Sequence, residues 1–266
     1  MTSYLMALAA ILLVGGLGWV ASVLVRKVSF VDSLWSLFFL LAAAVFAATA
    51  GELSDRALLV LGLVTLWSLR LSLHITVRNW GEPEDHRYEA IRQNNEPGFV
   101  VKSLYIVFGL QGVLAWIISA PLFSAINSAA APGVLDAAAL VLFLVGFVFE
   151  ALGDWQLGRF GADENNRGKV LDTGLWRYTR HPNYFGEFCI WWAFWLFAVA
   201  AGAWWTIFAP LLMSFLLLRV SGVTMLEKTI TSRRPGYAAV SYTHLRAHET
   251  VTLISYAVFC LKKGGG

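Results

Sequence analysis

From Tyr4 to Val25 the chain carries no charged residue, and a run that long and apolar is suited to few environments. At ~1.5 Å per residue a helix of this length covers a hydrocarbon core of ~30 Å. Further apolar stretches follow at about Val28 to Ala50, Ala57 to Val77, Val100 to Phe123 and Val134 to Trp155. A sixth region, Phe185 to Val220, would extend ~50 Å as one helix, too far for a single crossing. It divides near Gly202 into two spans, the second carrying Pro210. A bilayer offers the backbone no hydrogen-bonding partners, so each crossing segment must satisfy itself as a helix. The pattern predicts an all-α, polytopic membrane protein with seven transmembrane helices. Composition agrees: 58% of the 266 residues are hydrophobic, mean hydropathy is +0.64 and 14% are charged, against about a quarter charged in soluble chains. Residues 1–240 are read as one membrane domain with no separate soluble domain.

Charge placement orients the spans, because Lys and Arg collect in cytoplasmic loops. With the N-terminus outside and the C-terminus cytoplasmic, the inside segments hold Arg26 and Lys27; then Arg78, Arg87, Arg92 and Lys102. They also hold Arg159, Arg167, Lys169, Arg177 and Arg180, and finally Lys228, Arg233 and Arg234. The outside connections hold only Arg56. The first run lacks a basic leader region, which predicts a retained span rather than a cleaved signal peptide. A net charge of +3, with acids and bases sharing the same loops, excludes the basic stripe of a nucleic-acid binder. Cys189 and Cys260, the only cysteines, offer neither a thiolate metal cage nor a disulfide framework and are read as packing residues; no metal is expected. Residues 241–266, with Ser241-Tyr242-Thr243-His244-Leu245-Arg246 and a closing Lys-Lys-Gly-Gly-Gly, read as an adapter- or assembly-derived tail.

Ionisable groups at membrane depth are costly and mark functional sites or polar helix contacts. Asp32, in Ser29-Phe30-Val31-Asp32-Ser33-Leu34-Trp35, lies one turn past the Arg26-Lys27 loop. It is either a helix cap or ion-pair partner, or a carboxyl kept protonated by burial that donates to a buried carbonyl. Arg70 and His74, at i and i+4, share a helix face; His74 suits a satisfied interior role, whereas the guanidinium of Arg70 needs an anion or carbonyls. The loop Arg78-Asn79-Trp80-Gly81-Glu82-Pro83-Glu84-Asp85-His86-Arg87-Tyr88 is dense in hydrogen-bonding groups. Glu150 and Asp154 share a face at the end of the fifth span. After them come Arg159, Arg167, Lys169 and the block Asp172 to Glu187. Cationic forks at this density suit phosphate or pyrophosphate, and the carboxylates and amides beside them suit ribose hydroxyls and a carboxamide. Positive-inside charge with interfacial Trp and Tyr accounts for the cations and aromatics, but not for the acidic, amide and His groups among them. Pro182 can open a helix as its first residue.

Leu171-Asp172-Thr173-Gly174 followed by Arg177-Tyr178-Thr179-Arg180-His181-Pro182-Asn183-Tyr184-Phe185-Gly186-Glu187 resembles the signature of the steroid 5α-reductase family, in its bacterial branch of DUF1295-type membrane proteins. The likeness runs from Val31-Asp32 to about Tyr237. It implies a seven-span fold that holds NADPH at the cytoplasmic side and reduces the Δ4 double bond of a 3-ketosteroid or similar lipid enone, in a multi-pass protein of a bacterial inner membrane. By that resemblance Glu150 and Asp154 fall near the adenosine or ribose, Lys169 is a basic cofactor contact, and Tyr178, Asn183 and Glu187 line the cofactor. Arg70 matches an Arg after the substrate-polarising segment. Asn79, Arg159, Arg177, Arg180, His181 and Tyr184 complete the expected cofactor set. Asp32 falls where animal members carry a catalytic Glu; their partner Tyr corresponds to Trp67 here, and Tyr88 is the substitute candidate. Competing readings are a membrane methyltransferase of the isoprenylcysteine carboxyl type using S-adenosylmethionine, a sterol C14 or C24 reductase, and a transporter or lipid-binding scaffold. The multiply cationic cluster favours a phosphorylated ligand over the cationic S-adenosylmethionine.

Overall fold

A computed structural model describes residues 2–220. Cys260 and the 241–266 tail lie outside the described residues, as do Lys228, Arg233 and Arg234. Every described element is helical: α1 Thr2–Val25, α2 Phe30–Thr49, α3 Asp55–Arg78, α4 His86–Asn95, α5 Phe99–Ser103, α6 Leu110–Ile118, α7 Ala120–Ile126, α8 Val134–Ala162, α9 Pro182–Ala200 and α10 Phe208–Phe215. Five helical segments among them are long and apolar enough to cross a membrane: α1, α2, α3, the Phe99–Ile118 run and α8. This is the make-up of an integral multi-pass protein.

The described residues form two compact units, 2–137 with Phe194–Ala209, and Ala138–Ala193 with 210–220. In the first, α2 packs against α1 and α3. Hydroxyls join α2 to α3, with Ser36 Oγ donating to Ser68 O at 2.9 Å and Ser72 Oγ to Ser33 O at 2.8 Å. Such bonds hold helices together where lipid gives apolar faces no reason to associate. Tyr4, Phe46, Trp116 and Phe123 stack into one aromatic cluster. Arg56, expected as a loop cation, is buried at 1% exposure against Asp136 at 3%. Its Nε and Nη2 meet Asp136 at 2.6 and 2.9 Å, and its remaining donors reach Ser128 Oγ and the carbonyls of Ala130 and Ala131. A buried ion pair is tolerable only when so fully hydrogen-bonded.

The fourth apolar run is not one regular helix. A π-helical stretch, Leu104–Gly109, separates α5 from α6, and a break at Ser119 precedes Pro121 at the head of α7. Trp19 Nε1 donates to Val100 O at 2.9 Å just before the π stretch and so ties α1 to this run. In the second unit α8 continues to Ala162, past the Trp155 limit expected from bilayer thickness, because a helix does not stop where lipid does. The division expected near Gly202 is present: α9 ends at Ala200, Gly202 takes φ +81° and a 3₁₀ turn, Trp204–Ile207, leads into α10. Pro210 falls in the first turn of α10, where its missing N–H costs nothing.

Candidate functional site

The connection after α3 is tied to the turn between α1 and α2. Lys27 Nζ donates to Asn79 O and Glu82 O, both at 2.8 Å. The Glu84 carboxylate receives the backbone N–H groups of Val28 and Ser29 at 2.6 and 2.9 Å. That places a carboxylate on the N-terminal end of α2, where orphan donors and the helix dipole favour an anion. Next along the chain, Asp85 caps α4 by accepting Arg87 N–H at 2.9 Å. With its start so fixed, α4 turns Tyr88 inward, onto a cluster with Val28, Val31, Phe99, Val107 and Phe108. Ile91, one turn on, packs against the same cluster.

Tyr88 Oη donates to Asp32 Oδ1 at 2.5 Å and accepts from Gln111 Nε2 at 3.2 Å. Arg87 Nη2 reaches Asp32 Oδ2 at 2.9 Å and Asp85 Oδ2 at 2.8 Å, while Arg87 Nε meets the Asp85 carboxylate at 3.0 and 3.1 Å. Two acids therefore share one guanidinium, and the inner acid also holds a phenol. Burial pushes the Tyr88 hydroxyl well above the ordinary phenol range, and the Asp32 carboxyl against it pushes further. Burial also works to raise Asp85, but the hydrogen bonds from Arg87 outweigh it and hold this carboxyl below the usual carboxylate range. Desolvation works against the charge of Arg87, and its two acids overcome that. Tyr88 thus keeps its proton at neutral pH on a short bond to Asp32; turned from Asp32, the same O–H would offer a hydrogen bond to an oxygen gaining charge.

The expected partnership of Asp32 with Tyr88 is thus brought together in space. So is the alternative expectation for Asp32, an ion pair, with Arg87. Trp67 is fully buried, its ring packed near Phe39 and Phe194 at centroid distances of 5.8 and 6.4 Å. Arg70 and Asn79 also belong to the first unit, and Asn79 Oδ1 accepts from Arg78 Nε at 3.2 Å. Sequence reasoning missed Gln111 and Glu84 as partners, and Arg87 as the hinge between two acids. Only the density of polar groups from Arg78 to Tyr88 pointed that way.

In the second unit α8 and α9 touch backbone to backbone. A Cβ at Gly146 would lie 2.6 Å from Gly186 O, and one at Gly186 would strike Gly146 O and Glu150 N. One Cβ at Gly153 would sit 3.1 Å from Asn183 N. This close approach sets Asn183 beside Asp154, with Asn183 Nδ2 donating to Asp154 Oδ1 at 3.1 Å. Gly174, at φ +61°, packs its bare backbone on Gln156, whose Oε1 accepts Leu175 N–H at 3.0 Å. Trp176 Nε1 donates to Gly153 O at 3.1 Å. The Asp172-Thr173-Gly174 turn is thereby pinned to α8, and Pro182 opens α9 as expected.

Of the expected cofactor residues in this unit, Glu150, Asp154, Arg180, His181 and Glu187 are buried, and His181 lies against the Tyr184 ring at 5.6 Å. Arg159, Lys169, Arg177 and Tyr178 are exposed, Arg159 lying over the Trp155 ring at 5.5 Å. The unit therefore combines the buried acids Glu150, Asp154 and Glu187, the buried Arg180 and the half-buried amide of Asn183 with surface cations at Arg159, Lys169 and Arg177.

Comparison with known proteins returns a relative in Schizosaccharomyces pombe, an uncharacterized protein 31% identical over 237 residues. The match takes in 74% of this chain and 66% of that protein, so the chain spans just under two thirds of its relative's length. No solved structure matches. The profile of the DUF1295 family, described as a protein of unknown function, matches residues 18–244. That match includes both Asp32 and the long motif ending at Glu187, and the chain belongs to the DUF1295 family.

Proposed function

We propose that the chain is a membrane-embedded, NADPH-dependent reductase of the Δ4 double bond of 3-ketosteroids or similar lipid enones. The observation that carries this reading is the Tyr88–Asp32 hydrogen bond at 2.5 Å, braced by Arg87 and Gln111. An isolated alkene accepts hydride poorly, whereas conjugation to a ketone lets the incoming charge settle on oxygen. The protein must then supply a donor at that oxygen and exclude water. Two O–H groups, that of Tyr88 and that of Asp32 kept protonated by burial, meet the first need when turned to that oxygen. The apolar cluster of Val28, Val31, Phe99, Val107 and Phe108 around Tyr88 meets the second.

The donor set of the second unit fits NADPH. Exposed Arg159, Arg167, Lys169 and Arg177 suit phosphates, and the Asp154–Asn183 pair suits hydroxyl and amide groups. The resemblance of the Leu171 to Glu187 motif to steroid 5α-reductases supports the same ligand. When bound, NADPH supplies the hydride, which adds at the β-carbon of the enone. Tyr88 and Asp32 hold the enolate oxygen by hydrogen bonding, and a solvent proton added at the α-carbon gives the saturated ketone. Trp67, buried in the core, is the alternative to Tyr88 as the group assisting Asp32, through its indole N–H. The reading includes seven spans, with the N-terminus outside and the C-terminus cytoplasmic, in a bacterial inner membrane.

Binding separates this reading from its rival. Purified protein should bind NADPH, seen as energy transfer from its tryptophans to the nicotinamide, and should not bind S-adenosylmethionine. The reverse result would replace the reductase with a methyltransferase of the isoprenylcysteine carboxyl type. Asp32→Asn should keep NADPH affinity while turnover falls on the order of 10²-fold, the usual loss on disabling an oxyanion donor.

A further inference from the structure

Asp85 lies outside the pair that would face substrate, yet it makes more bonds to Arg87 than Asp32 does. It accepts Arg87 Nε through both oxygens at 3.0 and 3.1 Å, Nη2 at 2.8 Å and the backbone N–H at 2.9 Å. Only the Nη2 edge of Arg87 extends to Asp32, at 2.9 Å. A long, flexible side chain loses rotamer freedom when one end is clamped, and a guanidinium fixed along its Nε–Nη2 edge has a set direction for its remaining donors. Arg87 also lies 5.6 Å from the Tyr88 ring centroid, so its placement bears on both members of the pair.

We propose that Asp85 is a positioning residue: by clamping Arg87 it holds the guanidinium on Asp32 Oδ2, leaving Oδ1 aligned as the acceptor of the Tyr88 hydroxyl. This rests on the reductase reading for its effect on turnover, though not for its effect on Tyr88. Asp85 has a second, structural job as the cap of α4, and chemistry separates the two. Asn caps a helix about as well as Asp but cannot form an ion pair, so Asp85→Asn removes the clamp and keeps the cap.

The test uses detergent-solubilised full-length protein labelled with tyrosine carrying ¹³C at the ζ carbon. The Tyr88 resonance is assigned by its disappearance in Tyr88→Phe. In Asp85→Asn this resonance should move in the same sense as in Arg87→Met, with the double variant no further displaced than Arg87→Met alone. Asp85→Glu, which can still reach the guanidinium, should return it toward the wild-type position. In turnover, Asp85→Asn should lower kcat roughly 10-fold, a modest share of what misplacing a catalytic group can cost, with KM for NADPH unchanged. A Tyr88 resonance that stays in place in Asp85→Asn, or a double variant displaced by the sum of the singles, overturns the proposal. Because the resonance is read without substrate, a protein that reduces no enone would sink the reductase reading while leaving this result standing by itself.

Discussion

Tyr88 is a phenol buried to 6% exposure whose hydroxyl meets a carboxylate on one side and an amide on the other. No periodicity links position 32 to 88 or 111, so sequence could only name Tyr88 as a candidate for Asp32, on its place in a polar loop. The ion pair beside it was less legible, because Asp85 and Arg87 at i and i+2 look like ordinary loop charge until Arg87 is seen reaching Asp32. That pair has a measurable pH signature. The folded pKa of Asp85 is held below its unfolded value, which is about 3.9 for an aspartate. A depressed carboxyl contributes stability that is present above the unfolded value and lost as pH falls through the folded one. In thermal melting, wild type should therefore exceed Asp85→Asn at pH ~6, and the gap should close as pH drops below ~4. A gap constant across that window would contradict the assigned ion pair.

At the scale of elements, the apolar lengths made most of the helices legible, since a run such as Thr2–Val25 has few alternatives in lipid. They did not reveal the π stretch at Leu104–Gly109, because an apolar run looks uniform whichever helical ladder it forms. Nor did they show that Asp136 pairs with Arg56, a contact between segments far apart in sequence. The α8–α9 crossing was legible only in part: Glu150 and Asp154 shared a predicted face, but the glycine contact that seats Asn183 beside Asp154 is a backbone property. It makes a sharp prediction. In Gly186→Ala the new Cβ meets backbone atoms of Gly146 and Glu150, which cannot swing aside as a side chain can, and should destabilise the protein by about 1–3 kcal/mol. In Gly158→Ala, on the same α8, the Cβ meets nothing within 4 Å, and the gain in helix propensity should leave stability equal or up to ~1 kcal/mol higher. Thermal melting of the two variants checks this, and equal losses would contradict the crossing.

At the scale of the molecule, the described residues are helical, include five segments apolar enough to span a membrane, and group many of their ionic side chains into a few networks. Arg56 and Asp136 form a buried structural pair. Asp32, Arg87, Asp85 and Tyr88 form a connected network in the first unit, and the second unit gathers acids, amides and cations around α8, α9 and the segment between them. Whether the Asp32–Tyr88 pair makes an enone reducible is read from loss of the enone absorbance of a Δ4-3-ketosteroid in the presence of NADPH. Wild-type protein should remove it only when NADPH is added, and Asp32→Asn should do so on the order of 10²-fold more slowly. Enone that persists with wild-type protein at saturating NADPH would overturn the proposed reductase activity, and enone that disappears equally fast with Asp32→Asn would overturn the role proposed for Asp32.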